Sequence, residues 1–505
     1  MKTKKFKRGA GILLAVSSLP SPYGIGTFGK DAYEFVDTLA KLKQRYWQVL
    51  PLGPTSIGDS PYQSFSAFAG SPYYIDLDIL IEEHLLEPGE VRDIHWGDNS
   101  SEVDYGALYE HRFTVLRKAF DRFDREDVAF QTFCEEKQNW LEDYALYMAL
   151  KGYFGGREWG AWDADIRDRQ PKAIQHYQAM LIEDIGFWKF CQYKFFEQWH
   201  KLHTYAREKK IEIIGDIPLY LALDSADVWA KKELFLLGKD GTPTEVAGCP
   251  PDAFSDEGQK WGNPLYNWKA MEKTEFSWWK DRIRANAQMY DIIRIDHFIG
   301  VVQYYSIPAQ EHNGKNGKWN KGPGKKLTDA ITSALGESKI IAEDLGVEVP
   351  GVKKLIQKTG WLGMKILLFA FDGNTAHEYL PHNYKDSRMV VYGGTHDNET
   401  LAGYFGDKKE EELKFLYEYL GIRTKAEIPN AIIRLGYASI ADVVIFQMQD
   451  ILGLGNETRM NFPATIGKNW KWRYHPAMLS KDQKRRLKKW AVLYRRRKTK
   501  KEKKA

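Results

Sequence analysis

The sequence predicts an α/β protein built on a (β/α)8 barrel with helical and loop insertions. Three observations lead there. First, eight short apolar runs recur along the chain: Gly11–Val16, Trp47–Leu52, Ile211–Gly215, Asp291–Ile295, Lys339–Ala342, Met364–Ala370, Met389–Tyr392 and Asp442–Phe446. Each has the length of a buried strand, and most are rich in Val, Ile or Leu. Second, segments with helical spacing of apolar residues lie between many of them, such as Asp31–Lys41, Asp329–Leu335 and Val352–Thr359. Alternating strands and helices make a parallel sheet with crossover helices, and eight such units close a barrel. Third, Asp216, Asp296, Glu343 and Asp397 fall just at the ends of four of the runs. The C-terminal ends of barrel strands are where such folds carry their chemistry.

The 505 residues exceed what eight simple units need. Two connections take up the excess. Residues 78–210, with Trp, Tyr and Phe spread through 140–200, read as a mainly helical insertion between the second and third strands. Residues 231–285, which carry Gly and Pro, read as a loop and helix insertion over the active face. The chain is therefore expected to form one catalytic barrel over 1–505, ending in a basic, solvated tail from 495 to 505.

Composition bounds the function. Hydrophobic residues make up 43% and charged residues 28%, a globular balance. The 17 Trp and 28 Tyr fit an aromatic core and rim, and equally a groove in which flat side chains stack on sugar rings. Residues 481–505 hold fourteen Lys and Arg against Asp482 and Glu502, a net +12, so with an overall +5 the remainder carries −7. An acidic body argues against a nucleic-acid-binding protein. Three widely spaced cysteines, Cys134, Cys191 and Cys249, show neither a zinc spacing nor a disulfide framework. A reducing, cytoplasmic setting is expected. The basic start followed by Gly9–Val16 imitates a secretory leader, but a buried strand explains the same residues. No run approaches the ~20 apolar residues of a membrane span, and no membrane role is expected.

Gly24, Gly26 and Gly29 spell a dinucleotide-type G-x-G-x-x-G. Six residues with Pro20 and Pro22 separate them from the preceding strand, and the next strand runs into Pro51 and Gly53 instead of an acid. A glycine-bearing loop at a barrel mouth is the better reading.

The acids carry the chemical case. Asp296 lies two residues after Arg294, on the same face of a strand, where a cation favours the carboxylate. Such a group suits attack at an anomeric carbon, and a structural Arg–Asp pair is the alternative. Glu343 in a partly apolar mouth can be kept protonated as a general acid, and of the adjacent pair Glu343 and Asp344 only one can enter the site; the alternative is an ordinary Glu343 beside an Asp344 that caps the next helix. Gly393-Gly394-Thr395-His396-Asp397-Asn398 offers a close backbone approach and a donor and acceptor for sugar hydroxyls, or else a glycine turn with a helix cap. Retaining glycoside chemistry needs a nucleophilic carboxylate and an acid/base carboxyl roughly 5 Å apart. A third carboxylate can stabilise the developing positive charge. No HExxH, GxSxG or Walker A lysine is present.

These motifs, taken together, resemble the amylomaltase or disproportionating-enzyme family of 4-α-glucanotransferases, relatives of the α-amylases. The resemblance runs in order through Gly11-Ile12-Leu13-Leu14, Ser18-Leu19-Pro20-Ser21-Pro22, Trp47–Pro54, Ser60-Pro61-Tyr62-Gln63, Gly215-Asp216-Ile217-Pro218 and Gly258–Pro264. It continues through Arg294–Phe298, Ala342–Gly346, Gly394–Asn398, Arg459-Met460-Asn461 and Asn469-Trp470. It implies a barrel without a separate C-terminal β-domain. It implies Asp296 as nucleophile, Glu343 as general acid/base and Asp397 as transition-state stabiliser. Arg294, His297, His396 and Asp216 would surround the sugar at the cleavage point. Tyr62, Asp252, Gln259, Trp261 and Asn469 would line the subsites. Substrates would be malto-oligosaccharides and other α-1,4-glucans, acceptors glucose or glucan, with no metal or organic cofactor. Ile299 and Ala464 stand where the family favours Arg and Gly, which bears on subsite geometry.

The implied reaction is a double displacement in which an acceptor sugar outcompetes water, helped by the loop around 246–264. An α-glucan hydrolase with the same acids, or a non-catalytic glycan-binding barrel, are the rival readings.

Overall fold

The computed structural model describes residues 5–56, 58–251, 255–463 and 465–497. Twelve strands are found among them: β1 (Gly9–Leu13), β2 (Tyr46–Gln48), β3 (Glu212–Ile217), β4 (Glu245–Cys249), β5 (Gln259–Pro264), β6 (Ile292–Ile295), β7 (Gln303–Pro308), β8 (Lys318–Lys321), β9 (Lys339–Ala342), β10 (Gly363–Ile366), β11 (Met389–Tyr392) and β12 (Val443–Gln447). Eight form one parallel sheet in the order β10-β11-β12-β1-β2-β3-β6-β9. The ends of that sheet meet. Leu362, just before β10, donates to Ile340 O at 3.3 Å, and Ala342 N donates to Leu362 O at 2.8 Å. The result is a (β/α)8 barrel, and all eight expected runs supply its strands.

Several runs leave the sheet earlier than their apolar length implies. Val16–Ser18 and Leu367–Phe369 turn into 3-10 helix after β1 and β10. At these ends the chain must bend into the barrel-mouth loops, while its side chains stay buried. Close contact at the barrel wall explains Gly215. A Cβ there would fall 2.2 Å from the Tyr290 ring. The glycines of the false nucleotide motif serve packing too. A Cβ on Gly26 would sit 1.9 Å from Val16 O, and one on Gly29 2.0 Å from Asp76.

Between β2 and β3 the chain runs through helices that include Tyr105–Arg122, Val128–Tyr153 and Ile182–Glu208. The last two pack together through rings such as Trp140 and Phe196, with centroids 5.9 Å apart. Helix Ile182–Glu208 also grips the chain beyond β2. Gln192 accepts from Gly70 N and donates to Gly70 O at 2.8 and 2.9 Å. Both ends of one amide are thus satisfied by a backbone that would otherwise be buried unpaired.

The segment 231–285 departs from the loop-and-helix expectation. It holds β4 and β5, which join β7 and β8 in an antiparallel sheet ordered β5-β4-β7-β8. The pairing partner β7 lies outside the segment, beyond β6, so local pattern does not reveal it.

The tail also departs at its start. Arg496 is fully buried. It donates to Tyr437 O, Gly436 O and Ser439 O at 2.9–3.0 Å. Charge run alone predicts solvation, but a guanidinium can satisfy several orphan carbonyls at once. The rest of the tail, 498–505, lies outside the described residues. Among those described, no helix is long and apolar enough to cross a membrane.

Candidate active site

The site is built at the ends of the neighbouring strands β3, β6 and β9 and in the loop after β11, one strand further round the barrel. Arg294 near the end of β6 is its hub. Its Nη1 lies 2.6 and 2.7 Å from the two carboxylate oxygens of Asp216 on β3, and 3.0 Å from Asp296. Its Nη2 lies 3.8 Å from Glu343, which follows β9. Alternation along β6 puts residues 294 and 296 on one face, as the sequence required. Exposure divides the acids by depth. The Arg294 and Asp216 side chains are 2% and 0% accessible, whereas Asp296, Glu343 and Asp397 retain 25%, 17% and 36%. Asp216 is the buried counter-ion, and the other three acids face the open mouth.

His297 follows Asp296 with a left-handed φ of 48°. That turn aims its backbone N–H at Glu343 Oε2, 2.5 Å away. Burial first, and the Asp296 charge second, push Glu343 up to about 8 against the pull of Arg294. Burial also lowers His297 to about 4, so its ring is neutral at physiological pH. Asp344 faces away, as alternation requires, and accepts from Met364 N at 2.7 Å.

Asp397 lies in the loop after β11. Burial would raise its pKa, but the adjacent His396, at 3.3 Å, and Asn461 Nδ2, donating at 2.6 Å, hold it well below the usual range. Burial alone would lower His396, and Asp397 reverses this, so the imidazole is shifted upwards. Tyr62 stacks on the His396 ring with centroids 5.0 Å apart, and its hydroxyl donates to Asp216 at 2.9 Å. Gly393 is required by packing. A Cβ there would lie 2.9 Å from Phe446 and 3.0 Å from Asp450.

On β5, Trp261 packs edge-on against His297 at 4.7 Å and donates from its indole to Gln259 at 3.1 Å. Asn469 is turned inward. Its amide accepts from Phe462 N at 3.0 Å and donates to Thr465 O at 2.9 Å, so it shapes its own loop. Asp252 lies outside the described residues. Sequence reasoning assigned no role to Trp470, 5.8 Å from Tyr62, or to Asn461 and Arg459, which bind Asp397 through its side chain and its carbonyl. The runs Arg459-Met460-Asn461 and Asn469-Trp470 were the available signal. Among the described residues, no group of three or more His, Cys, Asp or Glu is disposed to hold a metal ion.

The arrangement offers one carboxyl held protonated, one carboxylate paired with a guanidinium and a third kept ionised, all beside aromatic faces. Comparison with known proteins agrees with that chemistry. The sequence model of the 4-alpha-glucanotransferase family matches residues 14–480. A 4-alpha-glucanotransferase of Clostridium butyricum is 49% identical over 463 residues, covering 91% of this chain and 94% of that one. One from Streptococcus pneumoniae serotype 4 is 46% identical over 471 residues, covering 92% and 93%. The solved structure of an amylomaltase from Streptococcus agalactiae in complex with acarbose superposes with a TM-score of 0.94 at 40% identity, covering 97% and 100%. The chain belongs to the 4-alpha-glucanotransferase family.

Proposed function

We propose that this chain transfers α-1,4-glucan segments from one malto-oligosaccharide to the 4-hydroxyl of another glucan or of glucose, with Asp296 as nucleophile, Glu343 as acid/base and Asp397 as stabiliser of positive charge. The observation that carries the reading is the contrast around Arg294. Its guanidinium binds Asp296 at 3.0 Å, whereas Glu343, at 3.8 Å, is pushed up to about 8. A carboxyl that keeps its proton next to one bound by a guanidinium is what double displacement needs.

In the first step Glu343 gives its proton to the glycosidic oxygen while Asp296 attacks the anomeric carbon. The C–O bond breaks, a glycosyl ester forms on Asp296, and the leaving glucan departs with the proton. Asp397, ionised, faces the developing oxocarbenium charge. In the second step the Glu343 carboxylate takes the proton of an incoming 4-hydroxyl, whose oxygen displaces Asp296. Two inversions restore the α configuration. Asp216 and Tyr62 support Arg294 and the sugar at the cleavage point. Trp261, bonded to Gln259, lies against His297, whose N–H binds the acid/base, and the two receive an adjacent pyranose. The working compartment is the cytoplasm, in keeping with the buried Cys191 and half-buried Cys134 thiols.

Incubation with maltotriose alone tests this. Glucose together with maltopentaose and longer chains is expected. Glucose and maltose with nothing longer would replace the reading by a hydrolase.

A further inference from the structure

Asn263 joins three separate segments that carry site residues. Its amide pairs reciprocally with that of Gln63. Gln63 Nε2 donates to Asn263 Oδ1 at 3.1 Å, and Asn263 Nδ2 donates to Gln63 Oε1 at 3.3 Å. The same Nδ2 donates to Leu221 O at 2.7 Å. Gln63 adjoins Tyr62 in the loop after β2. Leu221 adjoins Tyr220 in the loop after β3, the strand of Asp216. Asn263 itself is two residues from Trp261. The pair therefore ties the Trp261 strand to the Tyr62 loop across 200 residues of sequence.

The strand it ties, β5, is the edge strand of its sheet, and its ladder with β4 is irregular between Lys260 and Pro264. Gly258 and Gly262 flank Gln259–Trp261, with φ of 67° and 79°. A Cβ on Gly262 would meet nothing within 4 Å, so packing does not hold that point. Asn263 is the next residue and is 5% exposed. From there the contacts continue to the reacting groups. Trp261 packs on His297, whose N–H binds Glu343.

We infer that the Gln63–Asn263 amide pair is a latch that holds the Gln259–Trp261 strand closed beside Glu343, and so sets how the glycosyl-enzyme divides between sugar and water. The inference rests on the transfer reading above. Neither residue touches the reacting atoms, and both act as positioning residues. With the latch intact, Trp261 presents a fixed face on which an acceptor pyranose stacks, and water is displaced from the space beside Glu343. With the latch broken, the Trp261–Asn263 stretch, which lies opposite the irregular part of the β4 ladder, shifts. Donor cleavage by Asp296 continues, but acceptor capture weakens and water gains.

The test measures, on maltotriose, total bond cleavage and the gain in reducing ends, which counts hydrolysis alone. Wild-type enzyme must first build chains longer than maltotriose. If it does not, the transfer reading itself fails, and this result is separate from any result with the variants. For Asn263→Ala and the milder Gln63→Glu, total cleavage is expected to stay within a factor of about three. The hydrolytic share should rise about tenfold, a change on the scale of one to two neutral hydrogen bonds. KM for added glucose as acceptor should rise with it. The exchanged pair, Gln63→Asn with Asn263→Gln, restores reciprocal bonding and should bring the share back towards wild type. An unchanged hydrolytic share in Gln63→Glu, or cleavage and transfer falling in parallel in every variant that folds, would overturn the latch.

Discussion

The backbone N–H of His297 donates to Oε2 of Glu343 at 2.5 Å, so the residue that follows Asp296 in sequence fixes the second carboxyl in space. One left-handed residue thereby couples two groups that lie on different strands. It orients Glu343 without a second cation, and its hydrogen bond leaves one carboxyl oxygen for the proton. Arg294 serves Asp296 and Asp216 more closely than it serves Glu343. That inequality separates the two carboxyls electrostatically.

The first consequence concerns pH. With Glu343 pushed up to about 8, kcat/KM for maltotriose should fall as pH rises through about 8, because the acid loses its proton. Glu343→Gln should remove this limb and lower kcat by roughly 10²–10⁴-fold, the usual contribution of general acid catalysis. A Glu343→Gln profile that kept the alkaline limb would assign it to another group.

Stability should carry the same signature. The folded carboxyl of Glu343 holds its proton up to about 8, whereas its ordinary value is 4.5. Between those values the unfolded chain has released a proton that the native state keeps. Stability at this residue is therefore full below the lower value and is lost as pH rises through the window. The Tm of Glu343→Gln relative to wild type should increase from pH 5 to pH 9, as read by calorimetry at each pH.

Replacing the nucleophile should act on chemistry and leave the fold alone. Asp296→Asn keeps a side chain that accepts from Arg294, but it cannot form the glycosyl ester. Turnover on maltotriose should fall by roughly 10³–10⁵-fold, with the far-UV spectrum and Tm close to wild type. Near-normal turnover would remove Asp296 from the role proposed for it.

Asn461→Ala tests the support of the third acid. It deletes the 2.6 Å donor to Asp397 and leaves His396 in place. A hydrogen bond to a charged group is worth about 1.5–3 kcal/mol, so kcat should drop roughly tenfold to a hundredfold. KM should change less if Asp397 acts mainly on the transition state. A loss confined to KM would reassign Asp397 to substrate binding.

Arg496→Ala addresses the end of the chain. It leaves the carbonyls of Tyr437, Gly436 and Ser439 without that donor in a buried setting. The expected cost is about 3–5 kcal/mol, seen as a lower denaturation midpoint in urea, with kcat unchanged where the protein remains folded.

The barrel was legible in the sequence because buried parallel strands must be apolar throughout, and eight such runs between helices leave few alternative arrangements. The acids were legible for a related reason. A carboxyl at the end of an apolar strand is too costly to bury unless something pairs with it, and Arg294 beside Asp296 announced the partner. What local pattern could not carry was every relationship made across the fold. Strands β4 and β5 depend on pairing with the distant β7. The contacts that hold the Asn469 amide within its own loop, to Phe462 and Thr465, are likewise set by the fold. Arg496 reads as solvated by charge, yet it fills a set of carbonyls from residues 436–439. Periodicity and composition report how each segment meets water and apolar neighbours. The hydrogen bonds that give Glu343, Asp397 and the Gln63–Asn263 pair their properties join residues far apart in the chain, and only the closed tertiary structure brings those partners within reach.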